Sequence, residues 1–207
     1  MITALLASLA VSAAPPSLCG SPAIRMPGDT LQSIYQGGTS FTDFLASAQA
    51  RRDQWLDNYA LAESMDATMV ARAAAVSGQW RILVVAIDTC SDSVNSVPWI
   101  ARLSEHLDNV ELRVVTPDQG GRALMEAHRT PDGRAATPTV LLLDDDWQVR
   151  GCFIERPPAL RAHLDSIPSD RSTAARMDWY RDDAGRTTVQ EMVSMLEAAA
   201  RGEVQCR

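Results

Sequence analysis

Residues 82–87, in the stretch RILVVAID from Arg81 to Asp88, are aliphatic without a polar break. A strand with one face in water alternates polar and apolar residues. An unbroken run is the mark of a strand covered on both faces, as in the core of a parallel sheet. This run therefore requires packing layers on both sides of a sheet, and the rest of the chain has to supply them.

The flanking patterns do so. Ser91 to Leu107 reads as a helix, NVELRVV (Asn109 to Val115) as an alternating strand, and Gly120 to Arg129 as a short helix. PTVLLLDDD (Pro138 to Asp146) and WQVRGCFI (Trp147 to Ile154) are two strands joined by a short acidic turn, hence an antiparallel hairpin. A helix from Pro158 to Ser166 closes the series, so residues 79–167 predict an α/β core of order β-α-β-α-β-β-α. Asp144, Asp145 and Asp146 read as a solvated hairpin turn.

Residues 39–78 predict a helical pair. The first helix starts after Ser40, with Asp43 at the capping position and a stripe from Phe41 through Trp55 to Tyr59. The second runs from Leu61 to Val76 and stops before Gly78. Residues 168–207 predict two more helices separated by Gly185, the second opened by a Thr187–Gln190 capping box. Trp179 and Tyr180 are expected to anchor the tail helix.

Residues 1–38 lack periodicity and read as leader and linker. Ile2 to Ala14 is apolar, followed by small residues suited to a signal peptidase, but no basic residue precedes Arg25. Two readings stand: an export signal, giving a periplasmic or extracellular protein, or translation from Met26, giving a cytoplasmic one. The apolar run is too short to span a bilayer. Export would permit a disulfide, with Cys19 and Cys206 one candidate pair.

Composition removes several functions. The net charge of −7 and the lack of a basic run argue against nucleic-acid or anionic-membrane binding. All 19 basic residues are arginine, which excludes Schiff-base lysine chemistry. Cys19, Cys90, Cys152 and Cys206, with His106, His128 and His163, lie far apart along the chain, and this spacing argues against a metal centre.

Attention then falls on Cys90, where the buried run meets a helix. Either it is an active thiol or it is one more small residue filling the core. Pro98 follows eight positions later, and ATPTVLLLDDD contains Thr137-Pro138 just before a strand. With the element order, these features resemble the thioredoxin fold. The helical extensions, Gly133 to Pro138 and WYRDDAGRTTVQEMVSML resemble a bacterial thioredoxin-like family, so the likeness covers nearly all the chain after residue 35. Family members usually read Trp-Cys-Gly-Asp-Ala; here the motif is Thr89-Cys90-Ser91-Asp92-Ser93. The second cysteine of a dithiol motif is therefore a serine. The aspartate that thioredoxins carry six residues before the first cysteine is Val84, and the threonine of a thiol peroxidase is Ile87.

The resemblance implies a monothiol oxidoreductase. Cys90 would be the nucleophile, Asp92 and Ser93 its helix-start neighbours, and Thr89, Thr137 and a cis Pro138 the substrate-binding residues. A helix N-terminus stabilises a thiolate, whereas Asp92 opposes it if it faces the sulfur and spares it if it turns to other donors. A lone thiolate can form a mixed disulfide that a glutathione-like thiol, a partner protein or Cys152 must resolve, although Cys152 could face away from Cys90. No cofactor is implied. Two other readings remain: a non-catalytic protein-binding module using the cis-proline groove, and a glutathione-binding module.

Overall fold

In the computed structural model, residues 26–206 are described. The apolar run near the N-terminus and Cys19 lie outside them. Helix α1 (Gly28–Gln36) precedes α2 (Phe41–Ser47), α3 (Arg52–Leu61), a 3-10 turn and α4 (Ala67–Ala74). Strand β1 (Trp80–Val85), helix α5 (Ser91–Glu105), β2 (Val110–Val115), α6 (Gly121–Ala127), β3 (Thr139–Leu143), β4 (Val149–Ile154) and α7 (Pro158–Asp165) form the core. Helices α8 (Ser172–Asp183) and α9 (Arg186–Ala200) and a short strand, β5 (Gln205–Cys206), complete the chain. The α/β fold is thioredoxin-like, as the sequence predicts.

The sheet order is β2-β1-β3-β4-β5. β1 pairs parallel with β2 and antiparallel with β3; β3 and β4 form the hairpin; β5 joins β4 in parallel. Alternate residues of β1 face opposite layers. Ile82 and Val84 join a core with α2 to α5 and α9, whereas Leu83 and Val85 join one with α1 and α6. Both faces are buried, which is why the sequence run shows no alternation.

Four local expectations are corrected. Residues 28–36, read as linker, form α1, because Leu31 and Tyr35 are spaced one turn apart and buried against the sheet. The single helix expected from Ser40 is two. Gln49 and Ala50 donate their N–H groups to Asp88 Oδ2 at 2.9 and 2.8 Å, and Arg51 is left-handed at φ 53°, so a tertiary contact takes the N–H groups that would have continued the helix. The expected second helix is a 3-10 turn at Ala62–Ser64 followed by α4. The N-terminus of α9 is not closed by a Thr187–Gln190 box; the Thr187 N–H donates to the Asp183 carboxylate instead.

Pro98 sits inside α5. It has no N–H to give to the Val94 carbonyl, one turn earlier, which would leave a buried acceptor unpaired. Asn58 of α3 fills the gap: its Nδ2 donates to Val94 O at 2.8 Å. The proline site of the kinked helix thus becomes one anchor for the N-terminal extension. On the other side, Gly185 lies under Trp99; a Cβ there would stand 2.0 Å from the ring, at a φ of +69°. Removing the donor with Asn58→Ala is expected to cost about 1–3 kcal/mol, the penalty for an unsatisfied buried carbonyl. Urea unfolding checks this, and an unchanged midpoint would refute the role.

Candidate functional site

β1 delivers the chain to the carboxyl end of the sheet, where residues 86–90 turn into α5. Cys90 is the N-cap residue of α5, with φ −77° and ψ 121°. Its Sγ accepts the Ser93 N–H at 3.4 Å, and its thiol donates to the Thr137 carbonyl at 3.2 Å. Thr137 precedes Pro138, and the peptide between them is cis. Cys90 is half-buried, and it is the free cysteine among the described residues. The two contacts act in opposite senses: an N–H donor and a helix N-terminus favour thiolate, whereas a carbonyl acceptor favours the protonated thiol.

Asp92 does not face the sulfur. Its carboxylate accepts from Arg156 Nη2 at 3.2 Å, Arg176 Nη1 at 3.0 Å and the Tyr180 hydroxyl at 2.8 Å. Burial pushes the Asp92 carboxyl above the usual carboxylate range, and the two guanidinium groups and the hydroxyl hold against that push. Burial and the neighbouring carboxylate drive the Tyr180 hydroxyl far upward. Glu155 extends the network. It is buried, receives Arg134 at 3.0 and 3.1 Å and Arg156 at 2.7 Å, and donates its own N–H to Pro138 O at 2.7 Å. One ionic cluster therefore ties the start of α5, the cis-proline loop, the end of β4 and α8 together.

Ser93 is fully buried. It serves Cys90 through its N–H; its Oγ has no hydrogen-bond partner among the described residues. Thr89 is exposed, and its carbonyl accepts Arg51 Nε at 2.9 Å. Behind it, the Trp55 indole donates to Asp88 O at 3.0 Å. The N–H groups of Ala50 and Gln49 hold the Asp88 carboxyl below its usual range. The turn that carries Cys90 is thus gripped by the α2–α3 connection.

The structure corrects the cysteine pairing. Cys206 is bonded to Cys152, not to Cys19. Cys152 packs on the layer with α1 and α6, whereas α5 belongs to the other layer, so the disulfide-bonded Cys152 presents no free thiol to Cys90. Reasoning from sequence missed Asp88, Asn58, Arg156 and Arg176. Arg176 and Tyr180 are one turn apart on a helix, which marks them as sharing a face, but nothing along the chain indicates that the face meets Asp92.

The sequence model of a thioredoxin family, described as "Thioredoxin", matches residues 38–171. A crystal structure of a protein of unknown function from Pseudomonas aeruginosa is similar, with a TM-score of 0.62, 21% identity and coverage of 80% of this chain and 96% of that one. An HIV epitope-scaffold crystal structure has a TM-score of 0.65, 19% identity and coverage of 81% and 97%. At these identities the likeness concerns the fold. No curated protein matches the chain.

Asp92→Ala strips Arg176 of its anion and leaves Arg156 with Glu155 alone, and is expected to destabilise the fold by about 3–5 kcal/mol, read as a drop in the urea midpoint. Asp88 supplies a pH test. Its carboxyl is held low in the fold, so its contribution is complete above the ordinary value and is lost as pH falls through the depressed one. The stability gap between the wild type and Asp88→Ala should be full at pH 7 and shrink below about pH 4; a gap constant from pH 7 to 3 would contradict it.

Proposed function

We propose a monothiol thiol–disulfide exchange activity at Cys90 for this chain, which belongs to the thioredoxin family. The observation that carries the reading is the placement of Cys90 Sγ at the N-terminus of α5, taking the Ser93 N–H, with Asp92 turned to Arg156 and Arg176 rather than to the sulfur. An acidic neighbour in the first turn would oppose a thiolate; two guanidinium partners on its carboxylate weaken that opposition.

The Cys90 thiolate attacks one sulfur of a substrate disulfide, forming a Cys90 mixed disulfide and releasing the other substrate sulfur as thiolate. With serine at position 93, an external thiol then attacks the mixed disulfide and restores Cys90. The Thr137 backbone beside the sulfur suits an extended protein strand. A groove of about 520 Å3 next to the same loop, lined by Arg134, Arg156 and Arg161 among acidic residues, suits a glutathione-like thiol with its carboxylates.

The second reading, a binding module that uses the cis-proline groove without thiol chemistry, is favoured by the hydrogen bond that the Cys90 thiol donates to the Thr137 carbonyl. Iodoacetamide alkylation of Cys90 against pH separates the two. The test pairs the wild type with Asp92→Asn, which keeps the acceptor for Tyr180 and so disturbs the fold less than Asp92→Ala. Exchange chemistry predicts alkylation well below the pH of about 8.5 at which an ordinary cysteine ionises, and a mixed disulfide with oxidised glutathione that Cys90→Ser abolishes. A thiol that reacts only above that pH in both proteins leaves the binding module.

A further inference from the structure

Cys152, Cys206 and His128 lie far apart in sequence, yet their Sγ and ring nitrogen atoms all fall within 4.8 Å of one another. The strand pairing causes this. β5 runs parallel to β4 with Cys206 beside Cys152, at a Cα–Cα distance of 4.5 Å. His128 caps the C-terminus of α6, the helix that covers this face of the sheet, and places Nδ1 3.5 Å from Cys152 Sγ. The pairing of β4 with β5 and the packing of α6 do not run through the sulfur–sulfur bond.

We propose that reduction of the Cys152–Cys206 disulfide converts this corner into a zinc site with two thiolates and one imidazole. A dithiol reductant passes two electrons and two protons to the disulfide, giving two cysteine thiols and becoming a disulfide itself. Zn2+ then displaces both thiol protons and takes the lone pair of His128 Nδ1. Tetrahedral zinc, with bonds of about 2.3 Å to sulfur and about 2.0 Å to nitrogen, sets sulfur and nitrogen about 3.5 Å apart and two sulfurs about 3.8 Å apart. The His128–Cys152 separation already has the first value, and the second needs only that the two sulfurs move apart after reduction. Cys206 is exposed, so water reaches the fourth position. Thiolate and imidazole together select zinc over hard cations such as Mg2+ and Ca2+. The site is separate from Cys90 and does not depend on the activity proposed there.

The test uses the full chain with Cys19→Ser and Cys90→Ser, so that the remaining thiols are the proposed pair. A water-soluble phosphine reduces the disulfide, itself becoming phosphine oxide with oxygen from water, and is removed under inert gas. Co2+ is titrated as a spectroscopic probe, followed by Zn2+ in competition, with circular dichroism recorded on each sample. The expected result is one metal per reduced chain, a thiolate-to-cobalt charge-transfer band, displacement by Zn2+, and neither band nor comparable binding in the disulfide form. His128→Asn should weaken binding by more than the roughly 10–100-fold typical of losing an outer-shell partner, and Cys206→Ser should remove much of the charge-transfer intensity. Binding equal in the oxidised and reduced chains, or unchanged by His128→Asn, overturns the proposal. That includes the case in which reduction unfolds the chain and loose thiols take the metal, because such binding ignores His128.

Discussion

Burial of β1 on both faces is the constraint from which the other features of the molecule follow. A strand with Ile82 and Val84 on one side and Leu83 and Val85 on the other needs two helical layers, and the chain supplies them from its ends as well as from its core: α1 and α6 below, α2 to α5 and α9 above. Because β1 is central, its carboxyl end opens where the cis-proline loop and the end of β4 also arrive. A thiol placed there meets a helix N-terminus, a carbonyl and an ionic cluster at once.

The extensions are part of the site's support. Asp88 and Thr89, in the turn before Cys90, are held by backbone N–H groups of the α2–α3 connection and by Arg51. Asn58 satisfies the carbonyl that Pro98 orphans in α5. From the other end of the chain, α8 brings Arg176 and Tyr180 onto Asp92. The cysteine therefore sits in a turn fixed by polar contacts from three directions, and the acidic residue beside it is engaged elsewhere.

Asp92 illustrates how local and tertiary effects divide. From sequence its effect on Cys90 has either sign, according to where the side chain points. The fold decides by presenting two arginines that come 64 and 84 residues later in the chain. The cysteines show the same division. Positions 152 and 206 carry no spacing signal, and only the pairing of β5 with β4 makes them neighbours. The reading of residues 28–36 as linker failed for a related reason: α1 has few apolar residues, and its helix is justified by what Leu31 and Tyr35 pack against.

By itself the sequence determined the element order of the α/β core, the two-sided burial of the central strand, the position of Cys90 at a strand-to-helix corner, and the loss of a dithiol motif through Ser93. These are properties of near neighbours along the chain: hydrophobic period, capping chemistry and the identity of residues one helical turn apart. The tertiary structure alone decided where α2 breaks, which way Asp92 turns, which cysteines pair, and that His128 stands beside them. Each of these depends on groups that meet only after distant segments dock, and a hydrogen bond or ion pair across the fold leaves no periodicity in the chain that makes it.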